Sequence, residues 1–312
     1  MKTYLAADVG GTHIRVGRYP VEGTEPISLK RITTHGEGDA TDRLINLIEE
    51  MLPGDDSVAG LAVAAPGPLD PKAGIIFSSP NIPGWVNFPL RKILENRFHI
   101  PVELGNDANM ATLGEWQYGA GRGHHHMIFM TISTGIGGGV IDDDRLVLGH
   151  RGLATELGHV TLIPEGPMCG CGQRGHLEAL ASGTAIARYV SEQLKLNYPS
   201  SLKSIQYPSA KDISLAAQNG DALAIEALAR SGSYIGQALA NYLHIFNPTV
   251  VVFGGGVTLS GSYLLDPLRK SLARRVMSPA YLADLQIKTG ELGDDAGLLG
   301  ALALVRSLHP LC

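Results

Sequence analysis

The stretch LAADVGGTHIRVG, residues 5 to 17, decides the fold. Apolar, β-compatible residues lead to Asp8, two glycines follow, and an alternating polar and apolar segment then runs back from Thr12. EPISLKRITT (25 to 34) alternates again, so the spacing predicts three strands in an antiparallel meander joined by tight Gly and Pro turns. FMTISTGIGGGVI (129 to 141) repeats the opening pattern: an apolar strand, small polar residues and glycines, then a returning strand. The echo predicts two similar subdomains that face each other.

Outward from these two anchors the chain alternates strand and helix signals, which places it in the α/β class. Helical patterns fall at 42–52, 89–98, from Asp107 onward, 182–195, 221–245, after Ser260 and at 295–308. Strands are expected at 57–65, 100–105, 127–134, 248–256 and in LQIKTG, with GVIDDDRLVLG as a hairpin.

A chain of 312 residues with 44% hydrophobic content can bury a large core in two domains or one large one. Its formal charge of −5 offers no basic footprint, so the expectation is no nucleic acid and no membrane as partner. The N-terminus meets glycines after a few apolar residues, too soon for a signal peptide, and no run approaches a membrane span of roughly 20 apolar residues. A cytoplasmic protein is expected, in which the pair Cys169 and Cys171 reads as metal ligands rather than a disulfide.

Glycines at strand ends allow positive φ and let backbone N–H groups approach phosphate oxygens closely. Three such places occur, DVGGTH (8 to 13), STGIGGG (133 to 139) and FGGGV (253 to 257). In a chain with an apparent duplication they argue for a polyphosphate in a cleft between two lobes. No GxxxxGK[ST] occurs, and no GxGxxG lies between a strand and a helix, so the mode is neither P-loop nor Rossmann.

DVGGTHIRVG, APGPLD, SSPNIPGW, GNDANMATLGE, STGIGGGV, ELGHV, CGCGQRGHLEALASG and NPTVVVFGGGV stand in the order found in the ROK sugar kinases. The chain resembles that family from about residue 3 to 308, its bacterial glucokinases most of all. The resemblance implies the actin/hexokinase-like fold, two ribonuclease-H-like lobes with a cleft between them. The small N-terminal lobe is expected over 1–118 with the C-terminal helix 295–312, and the large lobe with a zinc loop over 119–294. It also implies ATP-dependent conversion of glucose to glucose 6-phosphate, with Mg2+ accompanying ATP. Family members outside the enzyme branch carry an N-terminal helix-turn-helix domain, and this chain begins directly at the first lobe, which argues against a sugar-sensing regulator. Another hexose as acceptor (fructose, mannose, allose or an N-acetylated hexosamine) and polyphosphate as donor are the alternatives within the enzyme class. A homodimer or homotetramer is implied as well.

Phosphoryl transfer to a hydroxyl needs an aligned nucleophile, a proton acceptor and charge stabilisation at the γ-phosphate. Asp107, in GND at a helix start, is the candidate base; from the residues alone a helix cap is the commoner role, and the resemblance assigns catalysis. By resemblance Asp8 positions magnesium through water. Gly10, Gly11, Thr12, Thr134 and Gly135 then face the phosphates, with Gly254, Gly255 and Gly256 near the adenosine. A buried hexose needs a partner for each hydroxyl. The implied sugar ligands are Gly67 through its backbone, Asn81, Asn106, Asp107, Glu156, His159 and Glu178.

In the family the structural zinc is held by a His and three cysteines. This chain supplies His159, Cys169 and Cys171, and has His176 where the third cysteine stands. Imidazole is a good zinc ligand, so a closed Cys2His2 shell is expected, with helix capping or solvent exposure as the alternative for His176. The run His124 to His126 reads as a polar loop rather than a metal site, and Cys312 as a free thiol.

Overall fold

In the computed structural model, which describes residues 2–52, 54, 57–79 and 81–311, the opening motif is a tight hairpin. β1 (Thr3–Val9) pairs antiparallel with β2 (His13–Tyr19), and β2 with β3 (Ser28–Thr33). α1 (Ala40–Glu49), β4 (Val58–Ala65), α2 (Leu90–Phe98), β8 (Val102–Asn106) and α3 (Asp107–Tyr118) follow, with the short strands β5 (Leu69–Asp70), β6 (Ile75–Ser78) and β7 (Val86–Phe88) between β4 and α2. The second half contains β9 (Met127–Ile132), β10 (Ile136–Asp142), β11 (Arg145–Leu146), α4 (Leu177–Ala181), α5 (Gly183–Lys195), α6 (Ala210–Gln218) and α7 (Ala222–Phe246). It closes with β12 (Val250–Gly254), α8 (Ser262–Ala273), β13 (Gln286–Thr289) and α9 (Ala296–Leu308). Cys312 lies outside the described residues.

The chain forms two compact units: Met1–Gly123 with Arg145–Thr155 and Glu291–Cys312, and His124–Asp144 with Glu156–Gly290. The segment 145–155, placed by the sequence reading in the larger lobe, belongs to the first unit. So do residues 119–123 and 291–294.

In unit 1 the sheet order is β3-β2-β1-β4-β8, with β1, β4 and β8 parallel. The period-two alternation of β1 divides its side chains between two cores. Leu5, Ala7 and Val9 pack with Leu44 and Ile48 of α1 and Leu90 and Leu94 of α2, whereas Tyr4 and Ala6 join Leu298, Leu302 and Val305 of α9. Each fully buried leucine contributes about 1.5–3 kcal/mol. α3 packs on α9 so closely that a Cβ at Gly300 would lie 1.7 Å from the Met110 carbonyl oxygen.

Unit 2 repeats the plan. β10 runs antiparallel to β9, which is parallel to β12, and β12 is parallel to β13. α7 packs on α8, where a Cβ at Gly236 would lie 2.3 Å from the Leu268 carbonyl oxygen. The duplication read from the two glycine-ended hairpins is thus present in the strand directions of both sheets.

Three differences from the expected elements have local causes. The strands β5 to β7 have two to four residues each, too few for periodicity to register. α6 was not anticipated; a Ser209–Asp212 capping box nucleates it. The helix expected over 182–195 starts at Gly183, because Ser182 ends α4 in an extended conformation and caps α5 through Ala185 N–H.

Candidate active site

Unit 1 gathers its expected site residues after the C-terminal ends of three adjacent parallel strands, where ligands of open α/β sheets bind. Asp8 to Thr12 close β1, Gly67 follows β4, and Asn106 and Asp107 join β8 to α3. Thr34 pins the first glycine turn by donating from its N–H to the Thr12 carbonyl (2.8 Å) and from its hydroxyl to the Gly10 carbonyl (2.6 Å). Gly11 is needed for closeness: a Cβ there would stand 3.3 Å from Cβ of Asn81, a proposed sugar ligand.

Asn106 caps α3 by accepting from Ala108 and Asn109 N–H, and its amide donates to the Gly67 carbonyl at 3.2 Å. Gly67, at φ +90°, turns where a Cβ would strike the Ser78 carbonyl oxygen at 2.2 Å. The cap is therefore Asn106, which leaves Asp107 in the exposed first turn, its Oδ1 accepting from Ala108 N–H at 2.8 Å. A carboxylate there is favoured by the helix dipole.

Asp8 is half-buried and paired with Arg15, Nη2 to Oδ2 at 2.5 Å. Burial pushes its carboxyl above the ordinary carboxylate range, against the hydrogen bond and charge of Arg15, while Asp295 and Asp294 add to the rise. Arg15 also donates to Asp295 Oδ1 at 3.0 Å and to the Asp294 carbonyl. The sequence reading did not single out Arg15, although residues 8 and 15 face each other across the hairpin register. Glu115 was missed for want of any signal: it is 1% exposed and accepts from the N–H groups of Ala120, Glu291 and Leu292.

In unit 2, Thr134 and Gly135 follow β9, and Gly254 to Gly256 follow the adjacent parallel β12. Gly255, at φ +86°, lies where a Cβ would be 2.4 Å from the Ile132 carbonyl oxygen, so the third glycine loop packs against the end of β9, from which the second loop starts. The expected loop STGIGGG is only partly a loop, because β10 begins at Ile136 and Gly137 to Gly139 are strand interior. Gly138 serves close packing there, since a Cβ would meet the Phe129 carbonyl oxygen at 2.5 Å.

Glu156, His159 and Glu178 cluster beside this edge. Gly158, between the first two, packs on Ile136, where a Cβ would lie 2.0 Å from the carbonyl oxygen. The Ile136 N–H donates to Glu178 Oε2 at 3.0 Å. Burial pushes the Glu156 carboxyl up from its ordinary value although the residue keeps solvent access; His159 opposes the shift and Glu178 reinforces it.

The ligand atoms of His159, Cys169, Cys171 and His176 all lie within 4.8 Å of one another. Nδ1 of His159 is 3.7 Å from Cys169 Sγ, and Nδ1 of His176 is 3.3 Å from Cys171 Sγ. Four ligands about 2.0–2.3 Å from one tetrahedral ion stand about 3.3–3.8 Å apart, so the donor set fits zinc in kind, and the His159–Cys169 and His176–Cys171 pairs also fit it in spacing. His176 occupies the N-cap position of α4 without a side-chain capping bond and is 9% exposed, which disposes of the capping and solvent alternatives. Backbone bonds from Cys169 N–H to the Gln173 carbonyl and from Gly175 N–H to the Pro167 carbonyl fold the segment into a hairpin. Burial, with Glu178 nearby, pushes the Cys169 thiol up to about 12; a bound cation would reverse that by favouring thiolate.

The three consecutive histidines do not converge. His124 meets Thr249, His125 meets Asp144 and His126 meets Asp142. Among the described residues, no helix is long and apolar enough to cross a membrane.

The ROK family model matches residues 4–307. The chain is 38% identical to the glucokinase of Thermotoga maritima over 309 residues, 97% of this chain and 96% of that protein. A ROK family glucokinase from Streptomyces griseus, solved in complex with glucose and AMPPNP, is similar with a TM-score of 0.80 and 33% identity, covering 98% of this chain and 99% of that one. A ROK family transcriptional regulator, a homologue of the E. coli MLC protein, is similar with a TM-score of 0.89 and 27% identity, covering 98% of this chain and 78% of that one.

Proposed function

The chain belongs to the ROK family, and from that premise we propose that it phosphorylates glucose with ATP to give glucose 6-phosphate. The observation that carries the reading is the exposed Asp107 carboxylate in the first turn of α3, beside the Asn106 cap. Near-full-length likeness to glucokinases, one of them solved with glucose and AMPPNP, supports the substrate pair.

In this reading Asp107 accepts the proton of the sugar 6-hydroxyl as that oxygen attacks the γ-phosphorus, the bond from that phosphorus to the β–γ bridging oxygen breaks, and ADP leaves. The Ala108 N–H orients the carboxylate, and the helix dipole favours a negative charge at this position. Gly67, Asn81, Asn106, Glu156, His159 and Glu178 are the residues proposed to bind sugar hydroxyls. The three glycine loops would hold the nucleotide, Gly10 to Thr12 with Thr134 and Gly135 at the phosphates and Gly254 to Gly256 near the adenosine. Mg2+ arriving with ATP would be held through water by Asp8, an oxygen donor of the kind it prefers, and would neutralise phosphate charge. His159, Cys169, Cys171 and His176 would hold one zinc ion in a closed shell with no open position, so its contribution is to folding and to the placement of His159 and Glu178. A cytoplasmic homodimer or homotetramer is part of the same reading.

Likeness to a ROK transcriptional regulator favours a second reading, a protein that binds the hexose without phosphorylating it. A panel of hexoses assayed for sugar-dependent ADP formation, with polyphosphate as a second donor, tests both. Glucose binding with no sugar phosphate formed from either donor would leave only the sensor.

A further inference from the structure

Within unit 2 the Glu178 Oε2 accepts from Ile136 N–H at 3.0 Å, and its Oε1 stands 3.2 Å from Sγ of Cys169, one of the four proposed zinc ligands. Gly135 leaves room for it, since a Cβ there would stand 2.5 Å from Oε2. The same loop is also held by α5: Gly183 N–H donates to the Ser133 carbonyl at 2.8 Å, and the Thr184 hydroxyl donates to the Thr134 carbonyl at 2.9 Å. Ser133 to Ile136 is therefore held both by Glu178 and by the start of α5, and Glu178 is the charged group among these bonds. A charge-assisted hydrogen bond to a backbone N–H is among the stronger anchors available to a loop.

We infer that Glu178 is a positioning residue for the phosphate loop 133–136, acting through Ile136 N–H, in addition to its proposed role toward the sugar. The inference rests on the reading that this loop receives the nucleotide. It goes further by making one side chain carry the geometry of two subsites and tie both to the cysteine-histidine knot. Thr134 and Gly135 can present their groups to phosphate only while the Glu178 carboxylate fills the space beside Gly135 and holds the next N–H.

The test measures nucleotide affinity without sugar, where a purely sugar-binding Glu178 has no influence. Wild type, E178Q and E178A are titrated calorimetrically with the Mg2+ complex of a non-hydrolysable ATP analogue, and separately with glucose, after melting temperature and metal content are matched. E178A is expected to weaken the analogue by about tenfold or more, the loss of one hydrogen bond to a charged group. E178Q is expected to recover most of that affinity, within about threefold of wild type, because its carbonyl still accepts from Ile136 N–H, while glucose binding stays impaired. An E178A protein that binds the analogue within about twofold of wild type, with glucose binding lost, overturns the inference and leaves the kinase reading intact. Wild type binding neither ligand overturns both. Gly135→Ala supplies a variant in which Glu178 itself is retained: its Cβ should displace the carboxylate and weaken glucose by about fivefold, and unchanged glucose affinity counts against the inference.

Discussion

Arg15 Nη2 lies 2.5 Å from Asp8 Oδ2, and the same guanidinium reaches Asp295, so one cation binds the end of β1 to the entry of α9. Removing it would leave Asp8 half-buried without its cation, and the Asp8 carboxyl, already raised by burial, would rise further. Less of it is then ionised at a given pH, so the acid limb of the kcat profile should move to higher pH in Arg15→Ala. Arg15→Lys should restore the limb in part, because a point charge cannot span both carboxylates. A limb that stays in place would detach Asp8 from turnover.

Asp107→Asn keeps an oxygen to accept from Ala108 N–H, so the start of α3 should survive and the melting temperature should hold. Turnover should fall by about 10²–10⁴ if the carboxylate takes the hydroxyl proton. Single-turnover kinetics with ATP and glucose would read the difference, and undiminished turnover would remove Asp107 from the mechanism.

Metal analysis should find about one zinc per chain, and chelation should lower the melting temperature, because binding energy at a closed site is folding energy. Cys171→Ser should lose the ion, whereas His176→Cys should keep it. Protein without zinc and indifferent to chelators would mean that packing alone holds the hairpin.

Gly300→Ala places a methyl 1.7 Å from the Met110 carbonyl oxygen, a backbone atom that moves only if α3 and α9 separate. Denaturant unfolding should show a loss of about 3 kcal/mol. Gly256→Ala, with nothing near its Cβ, is the stability control.

Asp221 caps α7 through Ala224 N–H and accepts from Ser201 N–H and the Ser200 and Ser201 hydroxyls. Burial pushes its carboxyl up, but these bonds outweigh it and hold it below the ordinary range. A depressed carboxylate stabilises the fold fully above its unfolded value of 3.8 and loses that contribution as pH falls through the folded value. Melting curves of wild type and Asp221→Ala should differ by about 1 kcal/mol at pH 7 and converge toward pH 3.

Much of this molecule was legible in its sequence, for reasons that differ by element. The β1–β2 hairpin and its echo at β9–β10 announce themselves because apolar strands end in glycine within a few residues, a local signal. The four candidate zinc ligands were legible from residue type and family pattern, and the pairwise distances within the knot now give them a geometry. β5 to β7 stayed hidden because strands of two to four residues leave no period. The return of 145–155 to unit 1 stayed hidden because chain order carries no information about which core a connecting segment joins.

The sequence by itself determined which side chains exist at the strand ends and the alternation that buries β1 on both faces, since propensity and periodicity act over a few residues. Tertiary structure alone decided their partners. Arg15 was settled on Asp8 and Asp295, Glu115 on three backbone N–H groups, and Glu178 on Ile136 N–H. Apart from Asp295, whose side chain is 60% exposed, the groups in these bonds are wholly or partly shielded from water by neighbouring elements, and a shielded donor or acceptor takes whichever complementary group the packing brings within reach.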